Sequence, residues 1–325
     1  MSVVLKLKSV FRNWIRSGFR PEAVGRSEWF FMRLSFACVI GYMLEDARPF
    51  ALETQKHANG LANLVDLTWL SDDLPWESPF NNPGLWDIFA AVTVVLLIFY
   101  VVGRGLWIVL PLLVLVFTLP HSLQNSQGYI LHKFQLITLT ILAQAVVVNY
   151  AKWFRQKREN PLSADMLRGW VVYYSKGMIA ATYVTSVVSK LINSKGLWLW
   201  KTGYMAVDQQ KSRAQEFYRS LDPAFSGIDP IAAWMVDHTW LTRALFGTGF
   251  FLEFAALAAL HSRKWALLIG ISLIAMHRSI AAVMNLDFLN HELVVLIFFV
   301  NIPFWMMWVG AKIFAPSTLE PSGRV

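Results

Sequence analysis

The chain has 325 residues, of which 56% are hydrophobic and only 15% charged. Soluble domains average about 25% charged residues, so this composition excludes an ordinary soluble domain and points to an integral membrane protein. The formal net charge of +8 belongs in such a protein to cytoplasmic loops and gives no support to nucleic-acid binding, while a sole cysteine, Cys38, excludes an intramolecular disulfide and any paired-cysteine redox or metal motif.

Residues 1–27 read as a basic cytoplasmic arm. Val3, Leu7, Val10, Phe11, Trp14 and Ile15 recur at helical spacing, with Lys6, Lys8, Arg12 and Arg16 on the other face. That pattern suits an amphipathic helix lying on an anionic membrane surface. A mitochondrial transit peptide is the competing reading, but the arm runs straight into a membrane helix without an obvious processing boundary.

Residues 28–312 form the transmembrane domain, an all-α bundle. About eight crossings are expected, from apolar windows of ~20 residues. They cover 28–44, 85–102, 106–120, 132–150, 170–191, 241–261, 265–284 and 293–311. Long apolar runs without strand alternation exclude a barrel. The turn Gly103-Arg104-Gly105 joins the second and third helices.

Charge sets the orientation. The arm, the Arg104 turn, the run from Lys152 to Arg158, the Arg263-Lys264 turn and the 313–325 tail all fall on one side. That side is cytoplasmic, with both termini inside, as for a bacterial inner-membrane protein. The acidic segment 45–84 falls on the other side. A second outer segment, 192–238, carries Trp198, Trp200, Phe217, Tyr218 and Phe225. Aromatic loops of this length act as lids or re-entrant pieces, or as an aromatic belt at the headgroups.

Ionisable groups inside a bilayer cost about 2.5–3.5 kcal/mol each and need partners or water. The candidates are Arg33, Lys176, Lys190, Glu253, His277 and Arg278. Glu253 and Arg278 lie on consecutive antiparallel helices at similar depth, which predicts a structural ion pair locking the two together. At the outer face Asn125, His132, Lys133, Lys190, Asp287, His291 and Glu292 converge in depth. A lysine desolvated there loses its proton more easily and becomes a general base, with His132 as a candidate relay. The same position also fits a lysine snorkelling to water. No metal site is expected: no histidines fall at i, i+3 or i+4, and no HExxH, Walker loop, GxGxxG or GxSxG is present.

Several segments resemble a known family when taken in order. They are Arg20-Pro21 with Phe31-Met-Arg33-Leu34, Ser122-Leu-Gln-Asn125-Ser126 before Phe134-Gln135-Leu136, Ser186-Val-Val-Ser-Lys190-Leu191 with Trp200-x-x-Gly203-Tyr204, and Leu252-Glu253 followed by His277 and Phe288. Together they resemble the HTTM family, the membrane domain shared with vitamin K-dependent gamma-glutamyl carboxylase. The resemblance implies a lysine, Lys190, that deprotonates a reduced quinone or vitamin K-like molecule on the non-cytoplasmic side. Trp200, Gly203, Tyr204 and His277 would then line the substrate, and Asn125 would assist. Where the carboxylase has a histidine beside that asparagine, this chain has Ser126. The chain ends at Val325, without the large extramembrane domain that engages the carboxylase's protein substrate. Glutamate carboxylation by this chain alone is therefore not expected. The alternative is a non-catalytic scaffold, assembly factor or partner subunit that binds another membrane protein.

Overall fold

The structure is a computed structural model and describes residues 18–52, 83–126, 132–155, 161–221, 229–284, 286 and 288–314. The arm over 1–17, most of the first outer segment (53–82) and the tail from 315 onward lie outside the described residues. Every described element is helical.

The long elements are α1 (Arg26–Leu52), α2 (Pro83–Val102), α3 (Leu106–Ser126), α4 (His132–Tyr150) and α5 (Ala164–Ser194). Four short pieces follow: α6 (Trp198–Lys201), a 3-10 turn (Thr202–Tyr204), α7 (Met205–Ser220) and α8 (Pro230–Asp237). Then come α9 (Thr239–Ala255), α10 (Arg263–Met284), α11 (Leu289–Val295) and α12 (Ile302–Phe314). Five of the helical stretches are long and apolar enough to cross a membrane. They are Pro83–Val102, Phe134–Arg155, Thr239–Leu260, Arg263–Met284 and Leu289–Ile313. This supports an integral membrane protein. The apolar part of α3, Leu106–Thr118, is shorter.

Helix ends follow their sequence signals. Ser163 caps α5 by accepting from the Met166 N–H at 3.2 Å, satisfying a donor that the first turn leaves open. At the other end Lys195 takes a left-handed conformation, and the Gly196 N–H closes onto the Leu191 carbonyl at 2.8 Å.

The core is built from residues of α1 to α5 together with α10, α11 and the segment Leu296–Val300. Phe36, Tyr100 and Phe298 pack edge to face within it. One buried polar contact ties α2 to α4: the Tyr100 hydroxyl donates to Gln144 at 2.9 Å. Most side chains on the outward face of α2 are large and apolar, including Ile88, Val95 and Ile98. That suits hydrocarbon rather than water.

The last apolar segment is not one rod. Asn301 has φ 52°, in the left-handed region, and ends a π-helical turn, Leu296–Val300. Pro303 follows in the first turn of α12, where its missing N–H is tolerated. The Asn301 side chain spans the break. Its amide donates to Glu28 at 2.7 Å, and its oxygen accepts from the Phe304 N–H at 3.3 Å.

Candidate functional site

Lys190 stands one turn before the end of α5. Its ammonium lies 2.5 Å from each carboxylate oxygen of Glu253 on α9. The Lys190 side chain is 25% exposed and that of Glu253 10%. Lys190 therefore carries a close counter-ion, and its charge is held below the surface instead of reaching out to water. Trp198, at the start of α6, places its ring 5.5 Å from the ammonium.

Seven residues before Lys190 on the same helix face is Tyr183. Its hydroxyl is 2.8 Å from Nε2 of His277 on α10. His277 is buried, and its Nδ1 has no hydrogen-bond partner among the described residues. The rings of Phe288 and His291 lie 4.8 and 6.0 Å from it. A few residues on, Glu292 pairs with Arg278 at 2.5 Å.

The ion pair expected between Glu253 and Arg278 is not formed. Each charge takes another partner, Lys190 and Glu292 respectively. Depth counted from the loops places Glu253 and Arg278 at similar levels, but it does not say which way each points around its helix axis. The azimuth decides: Glu253 faces α5, and Arg278 faces α11.

The structure separates the other expected site residues. Trp200 and Tyr204 are exposed. Trp200 stacks on Arg243, whose guanidinium lies 4.0 Å from the Trp200 ring and 4.8 Å from Trp240. Gly203 is buried against the same arginine. A Cβ there would come within 2.7 Å of the Arg243 Nε and 2.8 Å of Thr239. Its role is thus close approach between the 3-10 turn and α9. His132 begins α4 and Asn125 lies near the end of α3, but their side chains fall outside the described residues, as does Asp287.

No family model, curated protein or solved structure matches the chain. The geometry therefore carries the functional reading by itself. It adds Tyr183, which sequence reasoning passed over, and brings Trp198 of the aromatic segment 192–238 to Lys190. The signal for Tyr183 was its seven-residue spacing from Lys190, two turns along one stripe. No group of three or more metal-ligating side chains occurs among the described residues.

A second charged cluster sits at the opposite, basic end. Arg263 donates to Glu28 at 2.5 Å, to Glu22 at 2.7 Å and to the Ala23 carbonyl at 2.9 Å. Lys176 lines the same pocket beside Glu28 and Asn301. Arg168 donates to the Val24 carbonyl at 2.9 Å and pairs with Asp165. These bonds strap residues 19–25 across the ends of α5 and α10.

Proposed function

We propose that the chain is an HTTM-type membrane enzyme of eight crossings, with both termini in the cytoplasm of a bacterial cell. It would act on a quinol-like, lipid-soluble substrate near the outer face. The observation that carries this reading is the Lys190–Glu253 pair, with Tyr183–His277 two turns below it. A bundle that needed only a lock would not require four ionisable or hydrogen-bonding groups on three helices, where each charge is costly to insert. The order of the sequence motifs supports the HTTM reading.

In the proposed step Glu253 draws a proton from the Lys190 ammonium, leaving an amine beside a carboxylic acid. The amine then takes the proton of a quinol hydroxyl. The quinol becomes a quinolate and Lys190 an ammonium again, so the anion forms beside a cation in a medium of low dielectric. In this reading His277, whose ring contacts the Tyr183 hydroxyl, would hold a substrate oxygen.

One observation favours the scaffold reading. Both oxygens of Glu253 already face Lys190, and a closed pair needs no ligand. The test is quinol consumption in the presence of dioxygen by the protein in lipid nanodiscs, using a reduced menaquinone analogue. Removing a general base slows a reaction by about 10²–10⁴-fold, and Lys190→Ala should show a loss of that order with the fold retained. A folded Lys190→Ala protein that consumes quinol at the original rate refutes the enzyme reading. Absence of turnover in the unsubstituted protein, with stable co-purification of another membrane protein, would replace it with the scaffold.

A further inference from the structure

Among the intramembrane cations singled out above, Lys190 and Arg278 have carboxylate partners and Lys176 shares a pocket with Glu22 and Glu28, whereas Arg33 has no such partner among the described residues. It is 7% exposed, on α1. Among the described residues it makes one hydrogen bond, from Nη1 to the Tyr100 carbonyl at 2.9 Å. No carboxylate among the described residues pairs with it, and its buried Nε has no acceptor. A guanidinium carries its charge at every accessible pH and presents five donors in a fixed fork. Leaving such a group buried with one neutral acceptor is costly.

The surroundings are built around that side chain. Gly103 has φ 81°, and a Cβ there would lie 2.1 Å from Nη1. Trp29 is also buried, and its ring centroid is 5.5 Å from the guanidinium carbon. Arg104 follows Gly103 on the exposed turn. Arg104 thus adds a second cation on the turn that packs against Arg33.

Depth says which anion. Tyr100 and Gly103 close the basic end of α2. Arg33 is five residues, about 7.5 Å of helix rise, from Glu28 in the Arg263 cluster. In the proposed orientation that level falls near the cytoplasmic edge of the hydrocarbon, close to the lipid phosphates, and that leaflet is rich in anionic lipid. Guanidinium and phosphate match in shape as well as charge.

We propose that Arg33, with the Gly103-Arg104-Gly105 turn, binds a phosphate group at the basic end of the bundle. The phosphate would come from an anionic phospholipid headgroup or from a soluble phosphate ester.

The test is native mass spectrometry of the delipidated full-length protein in detergent, titrated with phosphatidylglycerol, phosphatidylcholine or glycerol phosphate. The unsubstituted protein should bind phosphatidylglycerol about tenfold more tightly than phosphatidylcholine, a factor that such titrations resolve readily. Arg33→Met should erase that preference. Arg33→Lys, which keeps charge but loses the fork, should weaken it, and Lys264→Gln, a surface charge change elsewhere at the same end, should leave it intact. Displacement of phosphatidylglycerol by glycerol phosphate would assign the site to a soluble ester, and failure to displace would assign it to the lipid. Equal binding of the two lipids by the unsubstituted protein, without glycerol phosphate binding, overturns the proposal even if Arg33→Met fails to fold. An unchanged preference in Arg33→Met overturns it as well.

Discussion

At the residue scale, the Lys190–Glu253 contact decides how α5 and α9 are held together. Removing one member of a buried pair strands the other charge and costs about 3–5 kcal/mol. The value here should fall toward the lower end, because a quarter of the Lys190 side chain is exposed. Lys190→Met and Glu253→Gln should each destabilise the protein, and the double variant should lose clearly less than the two losses added. The measurement is reversible unfolding in mixed micelles. Effects that add to within about 0.5 kcal/mol would mean that the two side chains do not interact. The pair was legible only as its separate members. Lys190 and Glu253 stand out in apolar runs, but the partner of each does not, because helices that are apolar on every side give no azimuth to read. The same limit explains why Arg278 reaches Glu292 on the following element.

At the scale of elements, residues in the apolar runs became helix where periodicity and length predicted it, and the interruptions were the hidden part. The 3-10 stretch Ala256–Leu260 extends α9 with a longer rise per residue, which shifts the depth of what precedes it. Asn301 is the sharper case. Its signal in the sequence was an asparagine two residues before Pro303, a common stop. Inside an apolar run long enough to cross the bilayer, hydropathy outvoted it. The break makes a specific prediction. Asn301→Gly keeps the left-handed backbone but deletes the hydrogen bond to Glu28. Asn301→Ala loses both and should be less stable than Asn301→Gly by about 1 kcal/mol, the usual penalty for an L-residue in that conformation. Thermal denaturation in detergent separates the two. Equal stability would mean that the Glu28 bond alone matters.

At the scale of the whole molecule, the basic ends of helices gather at one pole. Arg263, Lys176 and Arg168 meet there around Glu22 and Glu28, while Lys190 and Glu253 lie toward the other pole. Lys176 and Lys190 are 14 residues apart on α5, about 21 Å of helix rise. That spacing fits groups near opposite boundaries of a hydrocarbon layer of about 30 Å. The proposed orientation then has a direct check. With Cys38 replaced by serine, Lys195→Cys should react with a membrane-impermeant maleimide added outside intact cells, whereas Arg104→Cys and Lys264→Cys should react only after lysis. Labelling of position 104 from outside would invert the topology. All three side chains are exposed, so a failure to react would not come from burial in the protein.

The crossed pairs have one more consequence. Lys190 is neutralised by Glu253 and Arg278 by Glu292, each within one contact distance. A membrane voltage acts on net charge, at about 2.3 kcal/mol per elementary charge per 100 mV when the charge crosses the full field. Two dipolar couples moving as units carry almost none. These two pairs are thus electrically quiet, and motions that carry them as units should be indifferent to whether the cell is energised. Replacing either glutamate with glutamine would uncover a single cation and make those motions respond to the field.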